Sequence, residues 1–211
     1  MPPKRTGWLR RHDNPEKSVF LNVPYDANFQ RLFLGYVVGV HAFGMVPRTT
    51  LEIPGGASRL ERILELIAQC RYSIHDLSRV ELSRFRPRVP RFNMPFELGL
   101  AVAHAKLNRE HIFFVFGENQ ERLSRSISDL AGTDPYIHRG TLVGLFAQLG
   151  NAFVRAERQP NIREMRAVYR ELRNSVGNIL KASGSPAVFS ARPFQDISTL
   201  ASALVARMIA S

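Results

Sequence analysis

"SVFLNVPYDANFQRLFLGYVVGVHAFG", residues 18–44, decides the fold. Its first six residues, to Val23, form a short apolar run rich in β-branched and aromatic side chains. Pro24 ends the run, as expected for a buried strand. From Asp26 the apolar residues follow a helical period to about Phe43, with Asp26 as the natural N-cap and Gly44 as the stop. A buried strand followed at once by a helix is the first half of a βαβ unit, and the next question is whether the pattern repeats.

It does. "MVPRTTLE" (45–52) reads as a second strand, with Pro47 suggesting the sheet edge or the strand's first residues. Ser58 then caps "RLERILELIAQC", where Leu60, Ile63, Leu64 and Ile67 share a helical face. "YSIHDLS" (72–78) is a third strand, followed by an arginine-rich loop longer than most strand-to-helix connections. "RFNMPFELGLAVAHAK" (91–106) starts a helix after Asn93, apolar round most of its circumference and so expected to be buried round most of it. "HIFFVFGE" (111–118) is a fourth strand, "DPYIH" (134–138) a fifth, and "TLVGLFAQLGNAFVRA" an amphipathic helix. Strands alternating with helices predict an α/β domain: a doubly wound, flavodoxin-like, mostly parallel sheet of about five strands. It occupies residues 18–156. Residues 1–17 read as a basic flexible arm. Residues 157–211 form a helical C-terminal extension, either a hairpin packed on the sheet domain or a small interaction module.

Composition narrows the class. The chain has 211 residues and a net charge of +11, which invites a nucleic-acid partner. Only four of its 29 basic residues are lysines, however, and the arginines are spread along the whole chain, so a solvated charge distribution is favoured over a nucleic-acid surface. No apolar run reaches the roughly 18 residues that span a bilayer, and the N-terminus lacks the pattern of a secretory leader. A cytoplasmic protein with no membrane partner is expected. One cysteine, Cys70, excludes an internal disulfide and any multi-cysteine metal site; it reads as core, and no metal is expected.

In an open parallel sheet the ligand crevice lies beyond the carboxyl ends of the strands, near the point where strand order reverses. The residues that follow the strands are therefore the candidates: Tyr25 and Asp26, Thr50 and Glu52, Asp76 and Ser78. Asn93 and Glu97 belong to the same edge because their helix starts there. Capping alone accounts for Asp26 and Asn93 better than ligand contact does, and Ser78 could close a turn. Glu97 is harder to explain away. Asn93, Glu97 and His104 form the one polar line on an otherwise apolar helix, and an uncompensated buried acid is costly. A first-turn acid favoured by the helix dipole is the alternative.

The blocks "CRYSIHDLSR", "RFNMPFELGL" and "SDLAGTDPYIH", with the opening "VFLNVPYDANFQRLF", resemble the nucleoside 2-deoxyribosyltransferase-like and bacterial TIR-like superfamily, in stand-alone bacterial form. The resemblance covers about residues 18–156. It implies that Glu97 is the catalytic residue for breaking an N-glycosidic bond and that Asp76 contacts ligand. Tyr25 and Asp26 would lie where the first loop approaches base or sugar. Ser78 and Asn93, placed at this edge by topology, and Arg91, of the arginine-rich loop, complete the expected substrate-binding set. The sequence departs from the transferase pattern in having Asn93, Met94 and Pro95 where a glycine is usual. Its arginine-rich loop (Arg79, Arg84, Arg86, Arg88, Arg91) suits phosphate through bidentate hydrogen bonds, favouring a nucleotide such as NAD over a free nucleoside.

The implied function is that of a glycosidase, a hydrolase or transferase acting on NAD or another nucleotide as substrate, with no cofactor required. It would serve as a toxin or in antiviral defence. A non-catalytic nucleotide-binding sensor and a TIR-like assembly scaffold are the alternatives, and a homo-oligomer is compatible with each.

Overall fold

The computed structural model describes residues 14–52, 58–79, 92–121, 123 and 134–210. Its sheet has five parallel strands: β1 (Ser18–Asn22), β2 (Val46–Arg48), β3 (Tyr72–Asp76), β4 (Ile112–Gly117) and β5 (Tyr136–Ile137). Their order is β2-β1-β3-β4-β5. The chain goes outward once from β1 to β2, then crosses back past β1 and continues in the other direction, so the reversal lies between β1 and β3. Register pairs Leu21 with Ile74 and Asn22 with His75, which brings the ends of β1 and β3 level at that point. Pro47 sits in β2, an edge strand, where its missing N–H costs no ladder bond.

Helices cover both faces. α1 (Gln30–Ala42) lies on one face, beside α4 (Leu142–Ala152). Gly35 and Gly39 let these two helices approach closely, because a Cβ at either would press into Leu142, Leu145 or Leu149. The C-terminal helices α5 (Ile162–Ser183) and α6 (Ala191–Ala210) pack on the outside of α1. α1 is thus an internal helix, with ten of its 13 residues buried. Tyr169, Leu172, Phe194 and Ile197 of the extension share one core with Phe33, Val37 and Phe116. The extension is therefore a hairpin built onto the domain, ended at α5 by Gly184 in the left-handed conformation (φ 62°).

The other face carries α2 (Arg59–Gln69) and α3 (Asn93–Leu107) in a single layer. Two expectations need correction here. On α2 the inward residues are Ile63, Leu66 and Ile67, with Cys70 just beyond, while Leu60 and Leu64 are exposed on its flank. On α3 only Met94, Glu97, Leu98 and Ala101 are buried, spaced by three and four along one face. Phe96 is exposed, so the helix is not buried round most of its circumference. Its alanines and glycine are apolar but small, and sequence does not distinguish a buried small residue from a solvated one.

Smaller corrections concern boundaries. Residues 14–17, placed in the flexible arm, instead form a 3-10 turn (Pro15–Lys17) capped by Asn14 and tied by an Arg71–Glu16 pair to the residue before β3. Residues 1–13 lie outside the described residues. Thr50–Glu52 leave β2 as a second 3-10 turn. Among the described residues no helix is long and apolar enough to cross a membrane.

Candidate functional site

Glu97 lies in the second turn of α3 with 3% of its surface exposed, at the carboxyl edge of the sheet. Its Oε1 accepts from Arg59 Nη2 at 3.4 Å. Among the described residues no other side chain bonds it. Burial pushes the Glu97 carboxyl above the usual range, and the Arg59 guanidinium pulls it part of the way back. Arg59 opens α2 directly after Ser58, whose hydroxyl accepts from the Glu61 N–H while the Glu61 carboxylate accepts from the Ser58 N–H. That capping box fixes where the Arg59 side chain leaves the helix.

Tyr25 faces the same pair. Its hydroxyl lies 3.4 Å from Thr50 Oγ1 in the turn after β2. Burial pushes its phenol up to about 12; Thr50 opposes that shift, and the Glu97 charge adds to it. Tyr25, Thr50, Arg59 and Glu97 thus come from four segments that meet at the carboxyl edge, beside the end of β1. Sequence reading named Tyr25, Thr50 and Glu97 as candidates there. It missed Arg59, whose one available signal was its position next to a capping serine on the same edge.

The remaining candidates divide differently. Asp76 is fully buried and points toward α1, where its Oδ2 accepts from the Tyr36 hydroxyl at 2.7 Å. The same oxygen lies 3.0 Å from His138 Nε2, and Oδ1 accepts from the Ser78 N–H at 2.9 Å. His138 Nδ1 accepts from the Gly140 N–H, which leaves the ring proton on Nε2 for Asp76. Burial alone would raise the Asp76 carboxyl, but the His138, Ser78 and Tyr36 bonds outweigh it and hold the carboxyl below its ordinary value. Ser78 is buried in the same network, its hydroxyl 3.3 Å from His138 Nε2. Asp76 and Ser78 are thereby occupied in joining β3 to α1 and to the turn after β5.

Asp26 forms a third group. Its Oδ1 accepts from the Phe29 N–H, so it caps the turn ahead of α1, which itself starts at Gln30. Its other oxygen pairs with Arg79 at 3.7 Å, and Arg79 reaches Glu118 at 3.5 Å. Glu52 accepts from Arg48 and from the Thr49 N–H, which closes the turn after β2. Asn93 is exposed and is the first residue of α3, not its cap; the cap position is Phe92, which contributes no side-chain bond. Arg91 and most of the arginine-rich loop lie outside the described residues. Among the described residues no group of three or more His, Cys, Asp or Glu gathers as a metal site would require.

Comparisons of the chain with protein-family models, with curated proteins and with solved structures find no match.

Proposed function

We propose that this protein cleaves an N-glycosidic bond in NAD or another nucleotide, as a hydrolase or transferase, with Glu97 as the catalytic carboxylate. The observation that carries this reading is Glu97 itself. A carboxylate 3% exposed, held by one long ion pair and raised by burial, is a poor structural element. Its position at the ligand edge of a doubly wound sheet gives it a use.

Breaking the bond between sugar and base leaves a cationic sugar, while the base departs with the bonding electrons. A carboxylate about 3 Å from the anomeric carbon stabilises that cation or captures it covalently. Water or an acceptor hydroxyl then completes hydrolysis or transfer. Glu97 has to be ionised to act in this way, and Arg59 favours the ionised form. Tyr25 offers an aromatic face beside the carboxylate for base or sugar. A cytoplasmic effector that consumes NAD, as toxin or antiphage agent, is the biological role in keeping with such an activity.

The second reading is a nucleotide-binding sensor without turnover. It is favoured by Asp76, which is bonded to Tyr36, His138 and Ser78 and so is not turned toward a sugar. Incubation with NAD and a panel of nucleotides, followed by chromatography for released base, separates the two. Release supports the glycosidase; binding without release supports the sensor.

A further inference from the structure

We propose that Arg59 is the anion-binding residue of this site, and that the phosphate of a nucleotide ligand takes Arg59 away from Glu97. The inference rests on the reading of this edge as a ligand site and adds to it the charge of the ligand and the fate of the ion pair.

Arg79 is held as loosely, at 3.7 Å from Asp26 and 3.5 Å from Glu118, but both of its acids are part-exposed; what sets Arg59–Glu97 apart is a long pair to a buried acid, in contrast with the tight pairs of the chain. Arg48 and Glu52 meet at 2.7 Å with both side chains largely buried, and the Glu52 carboxylate also accepts the Thr49 N–H. Arg192 reaches both oxygens of Asp196, at 3.1 and 2.9 Å. These have the short or two-pronged geometry of pairs that are an end in themselves. The Arg59–Glu97 pair is single, 3.4 Å long and lopsided, with an arginine side chain 55% exposed against a glutamate side chain 4% exposed.

A guanidinium has five N–H donors in a planar fork. Arg59 spends one of them on Glu97, and among the described residues no group takes the others. A phosphate arriving from solvent can engage two of these donors at once, which the buried carboxylate does not do in this arrangement. The setting favours such an anion, because α2 and α3 both begin at this edge and direct the positive ends of their dipoles toward it.

The exchange has a consequence for Glu97. With Arg59 drawn to the phosphate, Glu97 loses the counter-ion that favours its ionised form, and the positive charge developing on the ligand's sugar is what takes that counter-ion's place. In the free protein the same arginine masks it. Arg59 would thus select a charged ligand and release the acid only when that ligand is present.

Calorimetric titration of the full-length chain with AMP, adenosine and pyrophosphate tests this. Wild type is expected to bind AMP about tenfold or more tightly than adenosine, and to bind pyrophosphate. Arg59→Gln should bring AMP down to the level of adenosine and abolish pyrophosphate binding, while Arg59→Lys keeps part of the difference. Glu97→Gln should bind AMP more tightly than wild type, because Arg59 no longer has a carboxylate to leave. Thermal melts confirm that each variant is folded. Equal binding of AMP and adenosine by wild type, no binding of any probe at millimolar concentration, or an unchanged preference in Arg59→Gln overturns the assignment. Base release from neutral nucleosides that is lost in Glu97→Gln would overturn it while sparing the glycosidase; discrimination through Arg59 without base release would do the reverse.

Discussion

Phe189, in the connection between α5 and α6, lies against Tyr25 with ring centroids 5.5 Å apart. The same ring contacts Phe33 of α1 at 5.2 Å, and Tyr25 meets Phe33 edge-on at 6.1 Å. The C-terminal hairpin therefore reaches the candidate site and supports one of its walls, and α6 also packs on the Thr50 turn.

Phe189→Ala should loosen Tyr25 as well as remove packing. Phe189 is half-buried, so the expected loss of stability is about 1–2 kcal/mol, below that of a fully buried phenylalanine. Denaturant titration measures it. A fall in nucleotide affinity alongside that loss would show that the hairpin shapes the site; unchanged affinity would confine it to the core.

Asp76→Asn should destabilise the protein by about 3 kcal/mol, since the Asp76 carboxylate accepts from three groups in a fully buried place. The amide presents a donor where the network needs acceptors. The folded-state carboxyl lies below its unfolded value, so its stabilisation is present above about pH 4 and lost as pH falls through the folded value. Denaturant midpoints of wild type and variant should therefore converge in acid. Gly144→Ala should disturb the same strut from outside, because its Cβ would press into the His138 carbonyl.

A second acid-sensitive element lies under α2 and α3. Asn22 Nδ2 donates to His75 Nδ1 at 3.0 Å, leaving His75 Nε2–H to donate to Ser73 Oγ at 3.1 Å. Ser73 then donates to His111 Nε2 at 3.0 Å, and His111 Nδ1–H donates to the Cys70 carbonyl at 2.9 Å. Every member is satisfied with both rings neutral. Burial, aided by His111, lowers His75 to about 3, and burial lowers His41, on the α1 side, to about 4. Each histidine takes up its proton more readily when unfolded, so stability falls as pH drops below about 6.5. The loss is about 1.4 kcal/mol per pH unit for each, until the folded value is reached. Midpoints at pH 7 and pH 5 should differ accordingly, with a smaller difference in His75→Gln.

Glu97→Gln should be more stable than wild type at pH 7.5, by about 0.5–1 kcal/mol. The folded-state carboxyl is raised above its unfolded value, so the ionised form counts against folding at neutral pH and that penalty fades in acid. A stability gain from removing one buried acid marks it as retained for a purpose other than folding. A variant less stable than wild type would assign the Arg59–Glu97 pair to the fold.

The fold was legible because strands and helices alternate with clear punctuation. Pro24, Gly44 and Ser58 all fall at or just beyond the element ends they mark, and even the two-residue β5 lies inside "DPYIH". Helix faces were less legible. Leu60 and Leu64 carry the same periodic signal as Ile63 and Ile67, but only the isoleucines meet the core, and the leucines at the edge of the same face are exposed. The site was legible only where topology alone places a residue, as for Tyr25, Thr50 and Glu97. Arg59 and His138 acquire their meaning from partners 38 and 62 positions away, a relation that no local pattern encodes. Asp76 has the right place for a ligand contact, and only its burial against Tyr36 and His138 shows that its oxygens are already engaged.

The most direct test of the central claim is the rate of base release from NAD and from nucleotides by wild type and by Glu97→Gln, each shown to be folded by circular dichroism. Wild type should release base, and the variant should lose about a hundredfold or more of that rate, the scale expected when one preorganised electrostatic group is removed. Equal release by the two proteins, or none by wild type from any substrate tested, would contradict the claim.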